Sequence, residues 1–361
     1  MSGFVNVPEQ HEAKRLLSAA LAERPVHAYL FHGPAGVGKR ELARAFAGEL
    51  LGDHARVSRG SHPDLYVLEP LGEQIRIDDI RELRRDLHMR PFEADRRVYL
   101  VFGADSLNED AADALLKDLE EPPPYVVIVL VAERLGPLPE TIRSRCQLVP
   151  FRRLSEPALR DAIAKHAAGL SETEIATLAR TAGGRLGRAL QLLDPAAARR
   201  RAELIRVARG VYTEPSFDTS AATDALLAGI DERGTEAKAA AEAHVETLEL
   251  TGREAEQRVR RAQRGAERDE LLAALEELEW WYRDLVVLAA GAETAVVHVD
   301  RLDALRADAT RERSQGAERA CELLRAAWRE AEELQLSVPL ALEALLVRLR
   351  RELAGPVRSR A

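Results

Sequence analysis

Cysteine, net positive charge and long apolar runs are all in short supply in this chain, and each shortage closes off a class of function. Cys146 and Cys321 are the only cysteines in 361 residues. Two are too few for a disulfide framework or a four-cysteine zinc site, and they point to a reducing, cytosolic compartment. The formal net charge is −8 at pH 7. The chain therefore lacks the basic balance of a general polyanion binder, although its arginines could still form local basic strips. The most apolar run, Tyr125 to Ala132, is far too short to span a bilayer, and Met1 to Gln10 has no signal-peptide core. A soluble intracellular protein with no membrane partner is expected. Internal repeats and low-complexity tails are also missing. What is present is ample apolar content, 46 % of residues, over a length that suits two or three domains.

One segment, Gly33-Pro34-Ala35-Gly36-Val37-Gly38-Lys39-Arg40, has the spacing of a phosphate-binding loop. Such a loop wraps backbone N–H groups around phosphates, sends a lysine to the β/γ oxygens and sets a Ser or Thr hydroxyl on Mg²⁺. The context fits. A short apolar strand, Ala28 to Phe31, leads in, and a helix with Leu42, Ala45, Phe46 and Leu50 at helical spacing leads out. Gly33, Gly36, Val37, Gly38, Lys39 and Arg40 are thus the candidate phosphate contacts, for ATP or ADP. Arg40 stands in the hydroxyl position and cannot ligate a cation, so Mg²⁺ is not expected. Two readings stay open. In one, Lys39 and the loop amides hold phosphates while Arg40 partly replaces the metal's charge. In the other, the loop is a vestige whose glycines suit the strand-to-helix turn.

Further strands are expected at Asp64 to Leu68, Arg97 to Phe102 and Tyr125 to Val131, separated by helical patterns at Ile77 to Leu87 and Glu109 to Leu119. The Val- and Ile-rich run at 125–131 reads as a strand covered on both faces, and the alternation implies a parallel sheet flanked by helices. After Phe151 the strands stop. Ser155 opens a helix, Ser171-Glu172-Thr173-Glu174 reads as a capping box, Gly183 to Gly187 is a turn, and Pro195 suits a first helical turn. A looser stretch, Tyr212 to Ser220, reads as a boundary. Helices are then expected at about 232–268, 269–288, 315–334 and 338–353. The Ala-, Glu- and Arg-rich segment 235–268 reads as a solvated helix held by i,i+4 ion pairs.

Four segments in order carry a family resemblance: His32 to Arg40, Gln74 to Arg81, Ala114-Leu115-Leu116-Lys117-Asp118-Leu119-Glu120-Glu121-Pro122-Pro123, and Thr141-Ile142-Arg143-Ser144-Arg145-Cys146. Together they resemble bacterial clamp-loader subunits of the AAA+ class, sharply over Val5 to Phe151, less so to Leu193 and thinly beyond. The resemblance implies an AAA+ P-loop core with a parallel sheet (1–152), a small helical lid (153–211) and an all-α collar for oligomerisation (212–361). It also implies partners: γ/τ-like ATPase subunits, a δ-like subunit, a sliding clamp and primer–template DNA, all within DNA polymerase III.

Departures from the family pattern define this copy. Phe102 and Gly103 occupy the positions of the Walker B acidic pair, and Ala132 that of the sensor threonine. Gly187 occupies that of the lid's sensor arginine. Losing metal support, water activation and γ-phosphate sensing removes most of what accelerates phosphoryl transfer, so a degenerate, largely non-catalytic ATPase is expected. Asp105 reads as a helix cap. Arg145 matches the arginine that reaches into the neighbouring subunit's ATP site as a finger in trans. Its plainer role is to bond carbonyls at a strand end. The rival to a stator is an ATP-hydrolysing motor subunit or a stand-alone AAA+ ATPase. The family's zinc module is missing: His54 and His62 come without cysteines, so zinc is not expected. His62-Pro63-Asp64 reads as a turn capping the next strand. Cys146 reads as packing within the finger motif and Cys321 as a small core residue. In Glu279-Trp280-Trp281-Tyr282 adjacent aromatics point to different faces, so at least one is expected at a surface, with ordinary bundle core the plainer alternative.

Overall fold

A computed structural model describes residues 3–70, 74–167, 169–245, 252–333 and 337–354. Its first unit is built on five strands: β1 (Ala28–His32), β2 (Leu65–Leu68), β3 (Arg97–Phe102), β4 (Val126–Ala132) and β5 (Gln147–Pro150). All pair in parallel, in the order β2-β3-β4-β1-β5. Before them comes α1 (His11–Ala22), and between them run α2 (Lys39–Leu51), α3 (His54–Ser58), α4 (Ile77–Leu87), α5 (Glu109–Glu120) and α6 (Glu140–Arg143).

The period-2 alternation of a strand explains why the run in β4 is apolar throughout. Val127, Val129 and Val131 face a core that includes Leu17 of α1 and Leu42 and Phe46 of α2. Ile128, Leu130 and Ala132 face a second core with Ile80 and Leu83 of α4 and Leu115 of α5. Both faces of the sheet are covered, as a parallel arrangement requires. The α/β class with a parallel sheet expected from the sequence is the class observed. Four elements of this sheet unit lie beyond the sequence reading: α1, α3, α6 and β5. In β5 only Val149 is buried, and Gln147 and Pro150 disguise the strand; its pairing to β1 identifies it.

Helices follow: α7 (Glu156–His166), α8 (Glu172–Thr181), α9 (Leu186–Leu192), α10 (Pro195–Thr213), α11 (Thr219–Val245), α12 (Gly252–Ala289), α13 (Leu302–Asp308), α14 (Arg311–Glu333) and α15 (Val338–Leu353). The capping box before α8 is present, with the Ser171 amide donating to Glu174 and the Glu174 amide to Ser171 Oγ. The chain gathers into two compact units. One runs to Ala179 and takes back Gly183–Leu190; the other comprises Arg180–Ala182 and the chain from Gln191 onward.

In the second unit, Ile205 and Val211 of α10, Leu226 and Ile230 of α11 and Leu278, Trp281 and Leu285 of α12 share one core with α14 and α15. Two expectations change here. First, α12 runs unbroken through Arg268 and Asp269, because no helix breaker lies there and the apolar series Leu271, Leu275, Leu278 carries the helix onward. Residues 246–251, inside the segment read as one solvated helix, lie outside the described residues; Lys238–Glu242 is one i,i+4 pair that does form, at 3.9 Å. Second, Trp280, Trp281 and Tyr282 are all buried, so the expectation of a surface aromatic fails and the plainer bundle-core reading holds. Helix α12 is packed on several sides, so side chains on different faces of it all find a core.

Candidate functional site

The loop after β1 turns sharply at Gly33, Gly36 and Gly38, whose φ angles of 142°, 66° and 98° suit glycine. Gly38 is the N-cap of α2, so the first helical amides face the loop. Lys39 is buried, and its Nζ donates to the carbonyls of Gly33 (2.6 Å) and Pro34 (2.5 Å). Burial holds its pKa below the ordinary lysine value, against the pull of Glu133, Asp105 and Glu41. Gly33, Gly36, Val37, Gly38, Lys39 and Arg40 are thus brought together on one loop, in a geometry able to take phosphate oxygens on backbone amides and an ammonium.

Mg²⁺ does not fit this site. The Arg40 guanidinium lies 4.6 Å from the centroid of the Phe102 ring, and that of Arg44 lies 5.2 Å away. Each arginine is also 3.4 Å from Glu69 Oε1. Arg40 and Phe102, far apart in sequence, therefore engage each other, and neither side chain is a metal ligand. Asp105 is not the helix cap expected of it: its carboxylate accepts from the Arg134 amide at 3.2 Å, beyond β4, while Asn108 caps α5 through the Ala111 amide. Among the described residues no three His, Cys, Asp or Glu side chains form a group that could hold a metal.

Gly187, at the start of α9, lies directly on the loop. The Gly187 amide donates to the Gly36 carbonyl at 3.0 Å. A Cβ on Gly187 would sit 3.1 Å from Gly36 Cα, and one on Gly36 would sit 3.2 Å from Gly187 N. Backbone meets backbone there, with no room for a side chain between them.

Two residues in the site escaped sequence reading. Gln10 Nε2 donates to the carbonyls of Val37 (3.2 Å) and Arg152 (2.7 Å), and Gln10 Oε1 accepts from the Arg152 amide. The Glu9 carboxylate accepts from the amide and hydroxyl of Ser155 at the start of α7. Both have φ near +50°, a conformation L residues adopt sparingly, so the surrounding bonds hold them there. Only the Pro8-Glu9-Gln10 punctuation before α1 hinted at this stitching.

Arg145 lies elsewhere, between α6 and β5. Its Nη1 donates to the Thr141 carbonyl at 2.8 Å and its Nη2 to the Glu120 carboxylate at the end of α5. About 33 % of the side chain is exposed. Beside it, burial pushes the Cys146 thiol up to about 12, and in the second unit burial does the same to Cys321; neither is a ready nucleophile. The His62-Pro63-Asp64 turn does more than cap. The buried Asp64 carboxylate accepts three successive amides, from Phe92 (2.6 Å), Glu93 (2.9 Å) and Ala94 (2.9 Å), clasping the loop that feeds β3.

Residues 9–155 match the sequence profile of the family described as DNA polymerase III, delta subunit. The DNA polymerase III subunit delta′ of Bacillus subtilis is 34 % identical over 160 residues, 41 % of this chain and 49 % of that protein. That of Pseudomonas aeruginosa is 38 % identical over 135 residues, 33 % and 41 % of the two chains. The subunit tau of Bacillus subtilis is 31 % identical over 207 residues, 53 % and 37 %. The chain thus spans half or less of the length of these curated relatives. Among solved structures, a DNA polymerase III gamma subunit-related protein of Thermotoga maritima aligns over 95 % of this chain and 100 % of its own, at 19 % identity and a TM-score of 0.46. Over residues 9–155 the chain is thus similar to the DNA polymerase III delta-subunit family, and subunits named delta′ are among the proteins it resembles.

Proposed function

We propose that this chain is a δ′-like stator subunit of a DNA polymerase III clamp loader in the cytoplasm, with little or no ATP hydrolysis of its own. In this reading residues 1–152, 153–211 and 212–361 serve as ATPase-like core, lid and oligomerising collar. The partners are γ/τ-like ATPase subunits, a δ-like subunit, the sliding clamp and primer–template DNA. The observation that carries the reading is the Arg40–Phe102 contact. Both positions from which this class of site draws its metal ligands hold groups that bind no metal, and hydrolysis of a phosphoanhydride depends on charge placed there.

Arg145 is the proposed contribution to a neighbour. A guanidinium spreading its fork over γ-phosphate oxygens stabilises the charge that builds in the transition state, a step worth several kcal/mol. Its position at the surface, one-third exposed, supports that role. Its bonds to Thr141 and Glu120 must be exchanged when it acts.

The test uses the reconstituted loader. Arg145→Ala is expected to leave assembly intact and to slow DNA-stimulated ATP hydrolysis by at least about tenfold at the adjoining site; unchanged hydrolysis removes the finger. The intact loop and Lys39 favour a second reading, an ATP-hydrolysing motor or stand-alone AAA+ ATPase. Turnover by the purified chain that vanishes with Lys39→Ala would establish that reading instead.

A further inference from the structure

We propose that the 33–40 loop binds nucleoside di- or triphosphate without a divalent cation, with the Arg40 guanidinium taking the electrostatic place of the metal. The inference rests on the phosphate-loop part of the reading above and is independent of Arg145. Its ground is the mutual accommodation of two departures far apart in sequence. Phe102 is fully buried at the end of β3, so its ring face is fixed. Arg40, in the first turn of α2 beside Lys39, lies over that face at 4.6 Å. The ring and Glu69 orient a guanidinium whose side chain is still 52 % exposed and can reach a ligand.

Three cationic side chains, Lys39, Arg40 and Arg44, then converge on the start of one helix. They attract phosphate and repel Mg²⁺. A guanidinium pairs with two phosphate oxygens at once, which a lone lysine cannot do. Glu69 serves as the exchange partner. Its pairs with Arg40 and Arg44 are open to solvent and therefore cheap to give up. The carboxylates nearest in charge to Lys39, on Glu133, Asp105 and Glu41, do not supply a metal cage, and Asp105 is already tied to an amide.

Calorimetric titration of the full chain with ADP and with ATP, in Mg²⁺ and again in EDTA, tests this directly. The expected result is a dissociation constant that differs by less than about twofold between the two buffers. Arg40→Ala is expected to weaken binding by about tenfold in both. Phe102→Leu, which keeps a buried apolar side chain but removes the ring face, should weaken it a few-fold. In the Arg40→Thr, Phe102→Asp double variant, Mg²⁺ should become necessary for tight binding. The decisive comparison uses the unmodified protein, so a variant that fails to fold leaves the outcome readable. Binding at least about tenfold tighter in Mg²⁺ overturns the inference, leaves the phosphate loop standing and turns attention to Asp105 and Glu133. No binding in either buffer overturns both. Binding untouched by Lys39→Ala places the nucleotide elsewhere and also overturns both.

Discussion

The α/β unit and the helical unit both bury ionisable side chains, and they satisfy them in different ways. In the α/β unit the buried polar groups mostly serve backbone: Asp64 takes three loop amides, Lys39 gives to two carbonyls, and Gln10 bonds Val37 and Arg152. Its side-chain pairs, Arg84–Asp118 and Arg97–Asp86, each keep one partner near the surface. In the helical unit, charge meets charge. His298 bonds Asp284 Oδ2 at 2.8 Å and Glu277 Oε1 at 3.0 Å, and Arg201 joins Glu277 to Asp300. Arg200 spans Glu232, Glu236 and Glu270, and Arg209 and Tyr212 both bond Asp308. Loops that feed a parallel sheet carry amides and carbonyls with no ladder partner, and a buried polar side chain there can satisfy them. Helix interiors satisfy their own backbone, so a charge buried between helices must find another side chain.

The contrast predicts opposite weaknesses. The largest effect is expected from His298→Ala, which takes the shared ring from two buried carboxylates, leaving Glu277 to Arg201 and Asp284 to the amides of Val297 and His298, and should cost the helical unit about 3–5 kcal/mol in denaturant unfolding. Burial works against the charged ring, yet the two carboxylates outweigh it and hold the His298 pKa above its ordinary 6.5. Its contribution is therefore complete below that value and declines as pH rises through the elevated one.

Asp64→Ala should cost the α/β unit about 2–4 kcal/mol by orphaning three amides. Burial raises the Asp64 pKa, but the amides of Phe92, Ala94 and Glu93, with Arg97, more than offset this and hold it below 3.8. Its contribution is present above the unfolded value and is lost as pH falls through the depressed one. Loss of stability at the same end of the pH scale in both variants' parent units would break the comparison.

Gly187→Ala should cost about 1–3 kcal/mol, because the added methyl forces the lid backbone off Gly36; a thermal shift of the α/β transition alone would confirm where the contact acts. The smallest effect is expected at Lys238→Ala. Its pair with Glu242 is half exposed, and losing it should change stability by less than about 0.5 kcal/mol.

The phosphate loop was legible because its chemistry is local: glycine spacing, a following lysine and a flanking strand and helix lie within a dozen residues. The run in β4 was legible because a strand covered on both faces leaves no room for polar residues. Helix α1 escaped because its buried stripe is thin, with Ala13 and Leu17 its only fully buried side chains. The apparent break near Asp269 came from a change in composition, from Ala- and Glu-rich to Leu-rich, which alters what a helix packs against without ending it. Trp280 to Tyr282 are all core, the plainer of the two readings, because α12 has neighbours on more than one side.

Sequence alone determined the parallel α/β class, the glycine loop with Lys39 and Arg40 at its end, and the helical character of the rest. These follow from backbone preference and from residue identity at fixed spacing, which no packing can change. Tertiary structure alone decided that Arg40 lies on Phe102, that Gly187 lies against Gly36 and that Arg145 rests on Glu120. Each contact joins segments far apart in the chain. Each is a geometric outcome of how separate elements pack, which no local pattern encodes.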